Sequence, residues 1–241
     1  MNRLFARLAL FAGIAAAAFV AGAAPAYRYA GFSLEHAFAL MTYGVYAAAG
    51  AAVLAILWIV FSVISRSMEG LMSFILALVL AIGAAYMPLN MRATAAKLPL
   101  IHDVTTDTAN PPAFVAVAPL RADAPNGVDY KTDPALQQNG YPDIVPVVLP
   151  DVAPADLFKR AEATARAMNW EIVAAEAAEG RIEATDTTAW WGFKDDIVIR
   201  IAAEGTGSRL DVRSMSRVGK SDIGKNAERI RAFLAKVKEA K

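Results

Sequence analysis

The sequence predicts an α+β protein in two parts: N-terminal transmembrane helices, then a soluble domain with an antiparallel β-meander packed by two helices. Three observations carry this. Long uncharged apolar stretches fill the first 91 residues, period-two segments run from about 170 to 216, and an amphipathic segment closes the chain.

Residues 8–27, 37–65 and 70–91 contain no charged side chain. Each meets the roughly 20 apolar residues that cross a bilayer core at about 1.5 Å per residue. Buried backbone polar groups leave the helix as their form in lipid. The anchor is therefore set at residues 1–91, with helices over 8–27, 40–64 and 71–90. Arg3, Arg7 and the small residues Ala21-Gly22-Ala23 also describe a cleavable signal peptide, but the apolar run exceeds the usual 7–15 residues and favours an uncleaved helix. Arg3, Arg7 and Arg66 oppose Arg28 alone on the other side, which places the N-terminus inside and the C-terminal domain outside. No ionisable residue lies within a span, which argues against a transport pathway.

Residues 92–112 read as a linker, and the soluble domain is set at 113–241. Ala113–Ala118 is a strand candidate. Residues 119–150 hold six prolines and read as an irregular stretch that lies on or wraps the domain. Pro154 opens a helix whose stripe is Leu157, Phe158, Ala161, Ala165 and Met168. Residues 170–177, 181–188, 196–201 and 209–216 read as strands joined by tight turns at Glu179-Gly180 and 205–208. Ile197, Ile199 and Ile201 alternate with Val198 and Arg200, and Leu210 and Val212 with Arg209, Asp211 and Arg213, which predicts a sheet covered on one side. Ser221 or Asp222 caps a last helix with the stripe Ile223, Ala227, Ile230, Leu234 and Val237.

Four ordered blocks add a resemblance. They are His102–Asp107 with Asn110-Pro111-Pro112; Tyr141-Pro142-Asp143; Gly180–Thr188 with Trp191–Asp196; and Asp211–Gly219 with Ser221–Ala227. Over about residues 98–238 the chain resembles the DUF1499 family, a domain of unknown function in bacterial and plastid proteins. The resemblance implies a domain identity and no reaction or ligand.

Composition narrows the chemistry. With no cysteine, disulfides and thiol catalysis are excluded. His36 and His102 are the only imidazoles, and there is no phosphate-binding glycine loop, HExxH or nucleophile elbow. Asp103, Asp107 and Asp186 offer hard oxygens as candidate metal ligands, against the plainer reading that such side chains bind turn backbone. Residues 194–241 hold twelve basic against seven acidic residues, a local net of +5. Arg200, Arg213, Arg217 and Arg229 are the candidate contacts for an anionic group, because guanidinium forks suit phosphate or carboxylate. The alternative is that Asp186, Asp195, Asp211 and Asp222 pair with them inside the domain. Trp190, Trp191 and Phe193 are the candidate apolar contact, or else cover the edge of the core.

The expected function is a non-catalytic, membrane-anchored envelope protein of a bacterial inner membrane. It is multi-pass, with its C-terminal domain in the periplasm, and binds a protein partner or an anionic lipid or glycan. Membrane lipids and an envelope protein or a second copy are the expected partners, with no nucleic acid and no cofactor. The alternative is a metal-dependent or hydrolytic enzyme using His102, Asp103 and Asp107.

Overall fold

The computed structural model describes residues 2–239. They fall into two compact units: one runs to Thr94 and includes Trp190–Gly192, and the other comprises Ala95–Ala189 and the chain from Phe193 on.

The first unit is helical, with α1 (Asn2–Tyr29), α2 (Leu34–Ile64) and α3 (Leu71–Ala95). All three are long and apolar enough to cross a membrane. Ser33 caps α2, its hydroxyl accepting the His36 N–H at 3.2 Å. The seam between helices is built from small residues: Ala6, Ala9, Ala16 and Ala23 of α1, Ala37, Ala48, Ala51 and Ala55 of α2, Ala77, Ala81 and Ala84 of α3. A Cβ on Gly44 would stand 2.7 Å from Val20 Cγ2 and 3.1 Å from the Ala16 carbonyl. Lipid supplies no hydrophobic drive between helices, so close backbone approach does that work. Leu54, Leu57, Val60, Val79 and Ile82 face outward, as lipid-exposed positions require. In the same unit, Trp191 packs its ring 4.9 Å from Phe38 and 6.3 Å from Tyr27.

The second unit is an antiparallel sheet. Its strands are β1 (Asp103–Thr105), β2 (Val147–Leu149), β3 (Glu171–Glu176), β4 (Arg181–Thr187), β5 (Lys194–Glu204) and β6 (Gly207–Ser216). The order is β1-β6-β5-β4-β3, with β2 also on β6. The meander β3 to β6 matches the expected strands; β1 and β2 are additions, each only three residues long. β1 lies within residues 92–112, so sheet pairing starts inside the stretch expected as linker. Gly180 takes φ +62 at the β3–β4 connection, a conformation that favours glycine.

Helices α4 (Pro134–Gly140), α5 (Pro154–Ala167) and α6 (Lys225–Glu239) complete the unit. Leu157, Phe158, Ala161 and Ala165 of α5 and Ala227, Ile230, Phe233 and Val237 of α6 enclose one core with Ile182, Ile197, Ile199, Leu210 and Val212 of the sheet. Trp170 stacks on Phe233 at 5.1 Å. One expected member of the α6 stripe is displaced: Ile223 precedes the helix at φ +53, and Phe233 takes a core place the heptad-like reading passed over.

Two expectations are corrected. Residues 113–118 are not a strand but irregular chain leading into a 3₁₀ turn at Ala118–Arg121. Their apolar side chains do not alternate against a sheet edge; Phe114 and Val117 instead pack down onto Val198 and Met215. And the sheet is covered on both sides. Residues 107–133 lie over the face opposite α5 and α6, where β6 is buried along almost its whole length and β5 from Asp195 to Ile201, with Arg200 half-buried.

Candidate functional site

Strand alternation sends Arg181, Glu183 and Thr185 of β4, Asp196, Val198 and Arg200 of β5, and Arg209, Asp211, Arg213 and Met215 of β6 to the face beneath residues 107–133. A polar strand face usually meets water. This one is buried because its charges neutralise one another and the covering chain supplies the remaining partners.

Arg213 donates to both oxygens of Asp103, at 3.0 and 2.8 Å, and to the carbonyls of Pro112 and Val128. Phe114 lies beneath its guanidinium, 4.8 Å from the ring centre. Burial pushes the Asp103 carboxyl above its ordinary value, although Arg213 opposes that rise. Asp196 is held by two arginines: Arg121 at 2.6 Å, and Arg217 at 2.8 and 2.9 Å, with the Thr185 hydroxyl at 2.6 Å. Burial pushes Asp196 up too, but these bonds outweigh it and hold the carboxyl below the usual range. Glu183, fully buried, accepts the main-chain N–H groups of Val115, Ala116 and Val117 and is also paired with Arg181.

Arg200 bonds Asp211 at 2.9 Å and Asp107 at 3.1 Å, and Arg209 reaches the same two carboxylates. These two arginine side chains keep about 30% of their surface open (28% and 31%). Arg229 stands elsewhere. It rises from α6 on the other side of the sheet to Asp186 at 2.8 Å and Asp195 at 2.6 Å, with Asn226 and Ser214 completing its fork. Consecutive residues Asp195 and Asp196 thus serve opposite faces. Burial acts against the charge on Arg229, but Asp195 and Asp186 overcome it.

The four arginines singled out in the sequence therefore do not converge on one point. Arg200, Arg213 and Arg217 share a face, Arg229 occupies the other, and each has a carboxylate. Asp186 and Asp195 pair with Arg229 and Asp211 with Arg200, as the plainer reading had it. Asp222 does not join them: it accepts the Gly224 and Asn226 N–H groups at the start of α6. Of the candidate metal ligands, Asp103, Asp107 and Asp186 belong to three different arginine pairs. Among the described residues no three His, Asp or Glu side chains gather as a metal site. The carbonyl of His102 accepts from Ser216 N–H and the Asn226 amide.

All of this lies within a recognisable stretch of sequence. A family model described as a protein of unknown function (DUF1499) matches residues 103–237. The chain belongs to the DUF1499 family. The match opens at the first residue of β1 and closes in α6, so it takes in the sheet, its helices and the covering segment. With three helices able to span a bilayer before it, this is a membrane-anchored DUF1499 domain. No curated protein matches the chain.

Several organising residues of the DUF1499 domain escaped the sequence reading. Arg121 sits among prolines with nothing to mark it as buried. Glu183 and Arg209 stand at polar positions of strands expected to be covered on one side only, and nothing local marks Glu183 as buried. Gln137 follows an Asp133 cap by four residues; its amide oxygen accepts Thr105 N–H at 3.0 Å and its amide nitrogen donates to Thr105 O at 2.7 Å. Trp191 is buried, while Trp190 and Phe193 are half-buried.

Proposed function

We propose that the protein is a non-catalytic binding module of the cell envelope, held by its helices in a bacterial inner membrane with the DUF1499 domain in the periplasm, and that it binds a protein partner. One observation carries the non-catalytic reading. The carboxylates that offered metal or hydrolytic chemistry, Asp103, Asp107 and Asp186, are each held by an arginine, as are Asp195 and Asp196 beside them. A general base needs a free lone pair near substrate, and a hard cation needs several oxygens turned to one point. A protein partner is favoured over an anionic lipid or glycan because Arg200 and Arg209, the more open arginines, are already matched by Asp107 and Asp211. A balanced pair suits a mixed-charge protein surface better than a bare phosphate.

The test is crosslinking of the tagged protein in intact cells, followed by purification and mass spectrometry. A protein recovered in stoichiometric amount, linked near Arg200 and Arg209, is the expected result. Recovery of a bound metal or lipid with no protein overturns the reading. Orientation is tested separately. The chain has no cysteine, so one placed at exposed Asp123 reports alone. It should react with a membrane-impermeant maleimide once the outer membrane is permeabilised; reaction only after lysis puts the domain in the cytoplasm.

A further inference from the structure

The segment over the charged sheet face is gripped in an unusual way. The sheet takes hold of its main chain. Glu183 accepts three consecutive N–H groups, from Val115 at 3.0 Å, Ala116 at 3.0 Å and Val117 at 2.8 Å. Arg213 donates to the carbonyls of Pro112 at 3.2 Å and Val128 at 2.9 Å, and Arg217 to that of Leu120 at 3.1 Å. A carboxylate that gathers consecutive N–H groups, with guanidinium forks offered to C=O groups on either side, is the complement of a bent backbone entering a 3₁₀ turn, whatever its side chains. The segment's own side chains add Phe114 and Val117 as apolar anchors, Arg121 on Asp196, and Asn126 on the Ser216 carbonyl at 2.9 Å.

The apolar anchors are few and belong to a small cluster with Val198 and Met215, separate from the core that α5 and α6 enclose. Lifting the segment therefore leaves the main core intact, and a unit of that kind opens on its own rather than with the whole domain. Ion pairs add little to resist this, since the cost of burying charge offsets most of their attraction. Val115 and Leu120 already point to solvent, so the segment has an outer side not committed to the fold.

We propose that this sheet face is a peptide-recognition surface and that residues 112–128 occupy it as an intramolecular ligand, displaced by a proline-containing segment of a partner that takes the same bend. The proposal rests on reading the domain as a partner-binding module and names the partner's chemistry. Glu183 and the Arg213 and Arg217 forks take its backbone; the apolar patch of Val198 and Met215 takes one large side chain where Phe114 now lies.

Two measurements on the full chain in detergent test it. In hydrogen exchange, the Val115–Val117 amides exchange together at least a hundredfold faster than those of Ile197–Ile201; equal rates mean that segment and sheet open only as one, and overturn the proposal. For the second, Phe114→Ala with Val117→Ala loosens the segment while leaving the face unchanged. A fluorescent synthetic peptide spelling residues 110–130 then binds at least tenfold more tightly than to the parent protein, and Glu183→Gln in the loosened variant removes that gain. No binding to a loosened variant that keeps its β5 and β6 protection overturns the proposal, as does loss of that protection in the loosened variant itself. If the peptide fails while a partner is crosslinked near Arg200 and Arg209, the displacement idea falls and the binding-module reading stands.

Discussion

Replacing Arg213 by Met removes one half of a buried ion pair and keeps most of the volume. In the parent protein the Asp103 and Arg213 side chains are 1% and 3% exposed, and two charge-assisted hydrogen bonds join them. Arg213→Met leaves a carboxylate without its hydrogen-bonded cation in a site closed to water, and leaves the Pro112 and Val128 carbonyls without these donors. Breaking a buried pair from one side costs about 3–5 kcal/mol. Asp103→Asn combined with Arg213→Met removes both charges, so the double variant is less impaired than the single, with a coupling energy of about 2 kcal/mol or more. The pH dependence has a definite sign. Burial already raises the Asp103 carboxyl above 3.8, and loss of Arg213 raises it further. The folded state then binds a proton that the unfolded state does not, so the deficit of Arg213→Met shrinks as pH falls from 7 through that raised value. Urea unfolding of the detergent-solubilised protein, followed by near-ultraviolet circular dichroism at pH 7.5 and pH 5, measures all three. A loss below about 1 kcal/mol for the single variant, or a deficit unchanged between the two pH values, refutes the reasoning.

Gln137→Leu deprives Thr105 of partners for both its N–H and its C=O, and should cost about 2–4 kcal/mol by the same unfolding assay, since each orphaned buried group costs about 1–3 kcal/mol. Asp143→Asn should cost under about 1 kcal/mol, because its pair with Arg231 is half exposed. The Arg231 hydrogen bond holds Asp143 below 3.8, so that stabilisation is present above this value and fades as pH falls beneath it; parent and variant should converge in acid. Gly44→Leu should force α1 and α2 apart, since even a Cβ would press on Val20 and the Ala16 carbonyl. Loss of a disulfide engineered between those helices in membranes is the readout, and unchanged crosslinking would refute it.

The transmembrane segments were legible because lipid imposes one rule on every residue of a span, and a run of 20 uncharged positions satisfies it visibly. The meander and α5 were legible for a related reason: Ile197, Ile199 and Ile201, or Leu157, Phe158 and Ala161, each repeat a period set by the backbone. What hid was everything specified by a single distant partner. β1 is three residues whose pairing depends on β6, more than a hundred positions away, so no local period announces it. Phe114, Val117 and Arg121 belong to irregular chain whose shape follows from Glu183, Arg213 and Asp196, not from its own sequence. The arginine cluster was legible as charge and not as arrangement. Nothing in the order Asp195-Asp196 says that one carboxylate serves Arg229 on α6 and the next serves Arg121 and Arg217 across the sheet.

Gln137 has a consequence beyond the stability of β1. A sheet whose outermost strand offers free N–H and C=O groups is a template for the next chain to pair with, and the hazard rises when many copies are confined to two dimensions, as membrane anchoring confines them. At Thr105 the side-chain amide of Gln137 stands in for a neighbouring strand, and the Thr132 hydroxyl takes the Asp103 carbonyl. The outer side of β1 is plugged by the chain itself. The opposite edge, β3, is short, bulged between Ile172 and Ala174, and bounded by Glu171 and Glu176. A protein crowded at a surface is thereby kept from growing its sheet through β1 or β3 into its neighbours, and Gln137→Leu should make it prone to assemble as well as to unfold.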